Sequence, residues 1–256
     1  MQVCLLASGS KGNALYVRTG DCRLLVDAGL PAREVLARLA AIGVDGTELD
    51  AILLSHDHGD HVRGAGTLAR RLKIPLLVSY PTLKAAEGIL RKVPVVEFES
   101  GYSFTFRDLL IDPFPITHDA SDPVGFLLEG AEGRVGVATD LGIVTGLVRE
   151  KLRGCRGLVL EANHDEEMLM GGPYPWHLKQ RIKSRHGHLS NNDSIELLAD
   201  LLHPGLSGVL LAHLSETNND PGLPLAAARD LFARQNLCAP RLIVGEQGRP
   251  SELLEI

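Results

Sequence analysis

Short apolar runs that end abruptly in histidine or aspartate are the feature that most constrains how this chain can fold. The clearest run, Ala51-Ile52-Leu53-Leu54, leads directly into Ser55-His56-Asp57-His58-Gly59-Asp60-His61. A wholly apolar run of this length is typical of a strand covered on both faces. Because strand ends can present side chains from a rigid scaffold, we expect these polar residues to face a common cleft. Apolar segments also precede four other residues: Asp27, His118, Asp140 and His213.

Helical and strand patterns alternate along most of the chain. The helix predicted from near Pro31 places Val35, Leu36, Leu39 and Ile42 on one side, as in a helix buried along one face. Alternation of this kind implies helices layered on sheets, an α/β fold. No linker-like or low-complexity stretch divides residues 1–256, so we predict one compact domain. Further helices are predicted over 64–72, 81–91, 143–153, 174–184, 191–202 and 222–235.

The composition is that of an ordinary soluble globular protein. Hydrophobic residues make up 45% and charged residues 23% of the 256 residues. No apolar stretch approaches the roughly 20 residues that cross a bilayer, and the first residues lack the basic segment of a secretory signal. The four widely spaced cysteines are expected to be reduced. We therefore predict a cytoplasmic protein without membrane association.

The net charge of −6 argues against a protein that coats nucleic acid non-specifically, since such binding depends on many Lys and Arg side chains. It does not argue against a localised basic groove. The densest basic stretch is Arg181-Ile182-Lys183-Ser184-Arg185-His186-Gly187-His188. A substrate-contacting surface is therefore expected to be local.

The segment after the first apolar run has the spacing of a metal site. His56 and His58 are two residues apart, so on an extended backbone both side chains point to the same side. Gly59 then lets the chain turn, and the adjacent Asp60 and His61 can face a second position. Imidazole and carboxylate together suit zinc, manganese or iron better than calcium or magnesium. Histidines near a strand end can also simply occupy a polar loop, but three His together with Asp60 within six residues favour metal binding.

Three later residues, His118, Asp140 and His213, complete a set that two metals could use. Taken singly, such residues after a strand are more typical of turns and caps. Two metals about 3.5–4 Å apart need a bridging carboxylate and roughly three ligands each. The ligands predicted for the first metal are His56, His58 and His118. Those predicted for the second are Asp60, His61 and His213, with Asp140 as the bridge.

The motif His56-Asp57-His58-Gly59-Asp60-His61 matches the HxHxDH signature of the metallo-β-lactamase superfamily. The chain resembles this family over essentially its whole length, and Asp27, His118, Asp140 and His213 fall where the family's other motifs belong. The resemblance implies a four-layer αββα sandwich with a dinuclear metal site at one rim.

Finer matches resemble one branch of that family, the YycJ/WalJ-type hydrolases, which are cytoplasmic bacterial proteins regarded as DNA 5′→3′ exonucleases. The resemblance implies DNA as the substrate and two divalent ions as cofactors: manganese or zinc, with iron as a third candidate. The cleavage polarity rests on the resemblance alone. The matching segments are 8–13, 117–125, 161–165, 187–191 and 213–219.

The predicted site suggests how such a hydrolase would work. Two cations lower the pKa of a bridging water toward neutrality, which gives a hydroxide nucleophile, and they stabilise charge on a phosphoryl oxygen. Asp60 and Asp140 would hold that water by coordination or hydrogen bonding. The leaving alkoxide needs a proton, and His188 is the candidate acid because it lies in the densest basic stretch of the chain.

Several other side chains are candidates for substrate contact. Arg181, Lys183 and Arg185 could contact the phosphodiester backbone without reading sequence. The same basic residues would also suit the solvated end of a helix, where cations meet the dipole favourably. Asn163 and Ser215 are expected to line the cleft.

Three further residues have structural alternatives. Asp27 is expected to orient a ligand histidine from behind, although a turn residue would occupy the same place. Tyr174 and Trp176 could stack on nucleobases, but aromatic residues in such a loop more often pack it onto the core. We therefore expect both aromatic side chains to be packed.

Two other classes of function compete with the nuclease hypothesis. A small-molecule phosphodiesterase or a lactone or thioester hydrolase of the same fold would act on soluble esters and leave DNA intact. A non-catalytic metal-binding protein would bind ions and hydrolyse nothing, although it would have little need of a bridging carboxylate. The oligomeric state is left open, with a homo-oligomer among the alternatives.

Overall fold

The protein, described over all 256 residues by a computed structural model, contains two seven-stranded β-sheets with helices on their outer faces. The strands of the first sheet are β1 (Gln2–Ala7), β2 (Ala14–Arg18), β3 (Arg23–Val26), β4 (Ala51–Leu53), β5 (Leu76–Ser79), β6 (Val95–Phe98) and β14 (Leu254–Glu255). Those of the second are β7 (Phe104–Phe106), β8 (Leu109–Pro115), β9 (Val124–Gly130), β10 (Gly133–Ala138), β11 (Gly157–Glu161), β12 (Gly208–Ala212) and β13 (Arg241–Val244).

Ten α-helices connect these strands. They are α1 (Ala32–Ala41), α2 (Gly59–Val62), α3 (Ala65–Leu72), α4 (Tyr80–Ala85), α5 (Glu87–Leu90), α6 (Gly146–Leu152), α7 (Glu166–Gly171), α8 (Trp176–Ile182), α9 (Asn191–Asp200) and α10 (Gly222–Ala233). A single 3₁₀ turn covers Gly46–Glu48. None of the helices combines the length and the apolar character that crossing a membrane requires.

Both sheets have a parallel half, and this brings several strand ends to one edge. The first sheet has the order β14-β1-β2-β3-β4-β5-β6 and is parallel from β3 to β6. The second has the order β13-β12-β11-β10-β9-β8-β7 and is parallel from β10 to β13. Strand β8 runs in the same direction as β10, because both are antiparallel to β9. The carboxyl ends of β8, β10, β11 and β12 therefore lie at the same edge of their sheet.

Three hydrophobic layers separate the sheets and helices. The central layer contains side chains of both sheets, among them Val26, Leu53, Val137 and Leu210. A second layer lies between the first sheet and helices such as α1 and α3, and a third lies between the second sheet and helices such as α6 and α9. Burial of apolar surface on both faces of each sheet is what holds the four layers together. The predicted αββα sandwich is confirmed.

Local predictions were less accurate than the layer order. The helix predicted over 81–91 is two short helices, α4 and α5, separated at Ala86. Helix α7 was not predicted, although Asp165 caps it by accepting a hydrogen bond from Met168 N. Gly59 does not simply turn the chain, since it begins the one-turn helix α2, whose N-cap is His58. The wrong predictions concern segments of one or two turns, where tertiary packing decides the conformation.

Candidate metal centre and active site

Six strand ends supply the side chains of the site. Asp27 directly follows β3, and His56 follows β4 after two residues. From the second sheet, Asp140 and His213 lie just beyond β10 and β12. The remaining two residues are His118, which follows β8, and Glu161, the last residue of β11. These strand ends lie close together, and of the polar residues predicted to share a cleft, Asp27, His56 and His61 do not line the cavity over the site.

Three histidines form the outer part of the site, which we call the histidine group: His56, His58 and His118. One ring nitrogen of each lies within 4.8 Å of the others. Nε2 of His118 lies 3.2 Å from Nδ1 of His58, and the three ring centroids are 4.7 to 5.2 Å apart. Imidazole rings crowded in this way would suit a shared cation, because their lone pairs converge.

The hydrogen-bond partners of the other ring nitrogens of the histidine group are neutral, although Oδ1 of Asp119 lies 3.9 Å from Nε2 of His58. Nδ1 of His56 lies 3.0 Å from Oγ of Ser55. Nδ1 of His118 is 3.1 Å from the carbonyl oxygen of Gly187, and the carbonyl oxygen of Asp119 is 3.2 Å from Nε2 of His58. These contacts orient each ring so that its second nitrogen faces the centre of the site.

A second set, which we call the acidic group, consists of Asp60, His61 and His213. Oδ2 of Asp60 lies 3.5 Å from Nε2 of His61 and 3.6 Å from Nε2 of His213. Asn13 supports Asp60, with Nδ2 lying 3.2 Å from Oδ2. Gly29 is required beside this aspartate, because a Cβ atom at that position would lie 1.6 Å from the Asp60 carbonyl oxygen.

Carboxylates stand behind the histidines of the acidic group. Oδ2 of Asp27 lies 2.8 Å from Nδ1 of His61, and Asp27 also accepts hydrogen bonds from the backbone N–H and the hydroxyl of Ser55. Oε1 of Glu161 lies 3.1 Å from Nδ1 of His213. An outer carboxylate raises the basicity of the imidazole that it contacts. The position of Asp27 is the one expected from the sequence.

Asp140 lies between the two groups and is fully buried. Its Oδ2 is 3.2 Å from Nε2 of His61. Its Oδ1 is 3.0 Å from Nδ1 of His213 and 3.7 Å from Nε2 of His118. One carboxylate therefore reaches both the histidine group and the acidic group.

Sequence reasoning gave no role to Glu161, although the structure places it in the centre of the site. Oε1 lies 2.8 Å from Nδ1 of His188 as well as near His213, while Oε2 accepts hydrogen bonds from the backbone N–H of Leu141 and Leu189. Burial opposes ionisation of this carboxyl, yet His188 and His213 lower its pKa to about 2. The strand-end rule that identified Asp140 and His213 would have identified Glu161 too.

The chemistry of the buried atoms fits divalent cations. Three buried polar atoms of the site have no hydrogen-bond partner: Nε2 of His56, Oδ2 of Asp140 and Nε2 of His213. Buried polar atoms are rarely left unpaired, because each costs free energy unless something binds it. All three are lone-pair donors of the kind that zinc, manganese and iron accept. The residues therefore suit a metal centre.

The two groups carry different charge. Burial lowers the pKa of His56 well below the usual histidine range, and it also lowers the pKa of His118. Burial opposes protonation of His61 and His213 as well, but Asp140 outweighs it and raises the pKa of each well above its usual value. Without a cation, burial favours the neutral forms of His56 and His118, whereas His61 and His213 hold protons that a cation would displace.

Three site residues have a left-handed backbone conformation that non-glycine residues rarely adopt. The φ angles are 61° at Asp27, 57° at Asp140 and 56° at His213. Asp27 and His213 directly follow a strand and Asp140 follows one after a single residue, so the chain turns sharply where each side chain meets the site. Such conformations are costly and persist where the surrounding structure fixes them, often at functional sites.

A cavity of about 280 Å³ opens over these residues. Four of the residues predicted from the sequence to act on substrate line it: Asn163, Arg181, His188 and Ser215. Lys183 and Arg185 do not line it, and Lys183 instead lies 3.5 Å from the carboxylate of Glu166. Roles for these two basic residues in substrate contact remain predictions.

Arg181 is not a free cation. Its Nε and Nη2 lie 2.7 and 2.6 Å from Oδ2 of Asp119, a residue that lines the same cavity. The pair joins the loop after β8 to helix α8 next to His58, whose Nε2 contacts the Asp119 carbonyl oxygen. Sequence reasoning did not identify Asp119, because nothing in the spacing relates it to Arg181.

The expectation that both loop aromatics pack onto the core was wrong. Trp176 is 59% exposed, and Tyr174 lines the cavity. The reason is the position of α8, which begins at Trp176 and places the preceding loop at the rim of the site instead of against a sheet.

Comparison with known proteins agrees with this architecture. The family described as "Beta-lactamase superfamily domain" matches residues 22–213. The chain is 37% identical over 220 residues to the exodeoxyribonuclease YycJ of Bacillus anthracis, covering 84% of this chain and 83% of that protein. It is 40% identical over 220 residues to the exodeoxyribonuclease WalJ of Streptococcus pneumoniae, with coverage of 84% and 82%.

Among solved structures, the fold is similar to that of the metallo-β-lactamase fold protein YhfI of Bacillus subtilis. The TM-score is 0.74 at 18% sequence identity, and the match covers 98% of this chain and 99% of that one. The identity is low, so this likeness bears on the fold alone. The family match, the two similar exodeoxyribonucleases and the cluster of possible ligand residues agree with this fold. The chain belongs to the metallo-β-lactamase superfamily and is a metal-dependent hydrolase.

Proposed function

We propose that this protein is a dinuclear phosphodiesterase that removes nucleotides from the 5′ end of DNA. The observation that carries the proposal is the position of Asp140, a buried carboxylate that lies 3.0 to 3.7 Å from residues of both the histidine group and the acidic group and lines an open cavity. Two-metal sites of phosphatases and nucleases use this arrangement. DNA and the 5′ polarity come from the likeness to the exodeoxyribonucleases YycJ and WalJ.

The histidine group would hold one divalent cation and the acidic group the other, with Asp140 between them. Manganese and zinc are the favoured ions, and iron is a third candidate. When bound, such a pair of cations would lower the pKa of water and neutralise charge that develops on a phosphoryl oxygen. Asp60 and Asp140 are the residues placed to orient the attacking water.

His188 is placed to protonate the leaving group. Its side chain lines the cavity, and its Nδ1 lies 2.8 Å from the Glu161 carboxylate. That contact fixes the ring and leaves Nε2 as the nitrogen that can give a proton to the departing alkoxide. Glu161 acts through His188 and is therefore a positioning residue.

Arg181 is placed to contact a phosphate of the substrate. Its ion pair with Asp119 holds the guanidinium at the cavity, where its remaining N–H groups can donate to phosphate oxygens. Such contacts position DNA without reading its sequence.

The test is a nuclease assay on end-labelled single- and double-stranded DNA with manganese or zinc. We expect stepwise loss from the 5′ end, no activity in Asp60→Ala, and a loss of turnover of about 10²–10⁴-fold in His188→Ala with metal content retained. Glu166→Gln, an acidic position outside the cavity, is the matched control and should be as active as the wild type.

Two outcomes would contradict the proposal. Intact DNA together with hydrolysis of small phosphodiesters or lactones, from protein shown to be metal-loaded, would favour a small-ester hydrolase of the same fold. Metal-loaded protein that hydrolyses nothing would favour a metal-binding protein without catalytic activity.

A further inference from the structure

The cavity over the metal centre has two chemically different sides. Its floor and one wall are polar, formed by the ligand groups together with Ser10, Asn163 and Ser215. Its three hydrophobic residues belong to the loop before α8 and to α8 itself: Tyr174, Leu178 and Ile182. An aromatic and aliphatic wall facing a polar, cation-binding floor has the chemistry of a nucleotide, which presents a flat base on one side and a sugar-phosphate on the other.

The sequence around Tyr174 presents its ring rigidly. Pro173 and Pro175 flank it, and proline fixes its own φ while restricting the residue before it to extended conformations. Gly172 allows the loop to approach the segment after β12 closely, because a Cβ atom there would lie 2.7 Å from Oδ1 of Asn218. A ring held in this way loses little conformational entropy when a ligand stacks on it.

Lys179, on helix α8, restrains the loop that contains Tyr174. Its side chain is buried, and Nζ donates hydrogen bonds to the backbone carbonyls of Met170 and Gly172 at 2.7 and 2.8 Å. Burying an ammonium group costs free energy unless hydrogen bonds compensate for its lost hydration. The two hydrogen bonds of Lys179 provide that compensation and at the same time restrain the backbone at Met170 and Gly172. The backbone that it fixes is the one that carries Tyr174.

We propose that Tyr174 is the stacking platform for a nucleobase of the substrate strand and that Lys179 positions it. This inference rests on the proposed function. The cavity, at about 280 Å³, lies just below the roughly 300–1,000 Å³ typical of ligand pockets, so it suits a single nucleotide better than a base pair. The 5′ end therefore enters as an unpaired strand, with a phosphate near Arg181 and the base against Tyr174. Stacking on a phenol ring tolerates every base, as an exonuclease requires.

The test measures binding apart from turnover. A single-stranded oligonucleotide with a 3′ fluorophore and slowly hydrolysed 5′ phosphorothioate linkages is titrated with metal-loaded protein, and Kd is obtained from fluorescence anisotropy. Tyr174→Ala should weaken binding roughly 5- to 100-fold, the range observed when a stacking aromatic is removed. Tyr174→Phe should bind within about twofold of the wild type, because it keeps the ring. Trp176→Ala is the matched control, since this exposed aromatic lies outside the cavity, and it should bind as the wild type does.

An abasic substrate identifies what the ring contacts. Oligonucleotides lacking the bases at the 5′ end should bind wild-type protein as weakly as ordinary DNA binds Tyr174→Ala, and they should show no further loss with that variant. Lys179→Met should raise KM without changing kcat or metal content, and it should have no effect in the Tyr174→Ala background. Circular dichroism of Lys179→Met reports whether that variant folds, and the Tyr174 variants test the platform independently.

The outcomes separate this inference from the proposed function. If wild-type protein degrades DNA but Tyr174→Ala binds it equally well, the platform is disproved and the nuclease stands. The same conclusion follows if Trp176→Ala loses as much affinity as Tyr174→Ala. If wild-type protein binds no oligonucleotide, both proposals are overturned together.

Discussion

The histidine group and the acidic group lie side by side, yet they are supported by different outer contacts. A serine hydroxyl and two backbone carbonyls orient the rings of the histidine group. In the acidic group, Asp27 contacts His61 and Glu161 contacts His213. Neutral hydrogen-bond partners thus orient the first group, with the Asp119 carboxylate 3.6 to 3.9 Å away, whereas carboxylates contact the second group directly.

A side chain or carbonyl that contacts the outer nitrogen of a histidine can affect that histidine in two ways. A dipole fixes the direction of a ring, whereas a carboxylate also raises its basicity and adds negative charge near the cation. The acidic group contains the ligand carboxylate Asp60 in addition. We therefore expect the acidic group to bind its cation tightly and the histidine group to exchange its cation more readily.

The largest effect is expected where the two groups meet. Asp140→Asn keeps the shape of the side chain but removes the charge that both groups share, so metal content should fall from two ions to fewer than one. Turnover on DNA should drop more than the ~10–100-fold typical of outer contacts. Elemental analysis and the nuclease assay measure both quantities. Full occupancy in this variant would show that the groups bind independently of Asp140.

Asp27→Asn should weaken the acidic group alone. Removing the carboxylate behind His61 is expected to lower the affinity for one cation by about 10–100-fold and to leave the other unchanged. Titration of metal-depleted protein with zinc or manganese, followed by calorimetry, separates the two affinities. Asp45→Asn, an exposed cap of the 3₁₀ turn far from the strand ends, is the matched control. Equal weakening of both cations would remove the distinction between the groups.

Stepwise removal of metal tests the order of binding directly. With increasing chelator, the cation of the histidine group should leave first, and the second should need about a tenfold higher chelator concentration. Metal content and melting temperature, measured on the same samples, should each show two steps. If both ions leave in a single step, the binding of the two cations is coupled through Asp140. That coupling would then outweigh the difference in affinity that the outer contacts produce.

The smallest effect is expected at Ser55, which contacts both groups. Its hydroxyl donates to Oδ2 of Asp27 and lies 3.0 Å from Nδ1 of His56. A net contribution of about 1 kcal/mol per hydrogen bond predicts roughly a fivefold loss of affinity in Ser55→Ala, shared by both cations. Ser79→Ala is the matched control, because this buried serine at the end of β5 has no hydrogen-bond partner. Loss confined to one cation would assign Ser55 to that group alone.

The parts of the site that the sequence predicted are those encoded over short distances. The spacing of His56, His58, Asp60 and His61 predicts convergence because strand geometry fixes which side chains share a side. The layer order was also predictable, since alternating apolar strands and amphipathic helices have few ways to bury their faces. His118, Asp140 and His213 were predicted because each follows an apolar run and together they complete a ligand set, and the resemblance to a known family agreed with that prediction.

The remaining features depend on which strands become neighbours. Glu161 contacts His188 and His213 only because β11 lies between β10 and β12. The ion pair of Asp119 with Arg181 joins segments 62 residues apart, and no local pattern relates them. Tyr174 was expected to pack inward, because an aromatic residue in a loop is usually covered, and only the position of α8 shows that it faces the cavity.

The left-handed backbone at Asp27, Asp140 and His213 implies a conflict between the thermal stability of the fold and its activity. Each conformation costs on the order of 1–3 kcal/mol in a non-glycine residue, and glycine would relieve most of that cost. A directed-evolution campaign that selected only for heat resistance of the metal-free chain would therefore favour glycine at these three positions. The selected protein would be more stable to heat but would lack three side chains of the site. Engineering for thermal stability should therefore keep the native residues at these three positions.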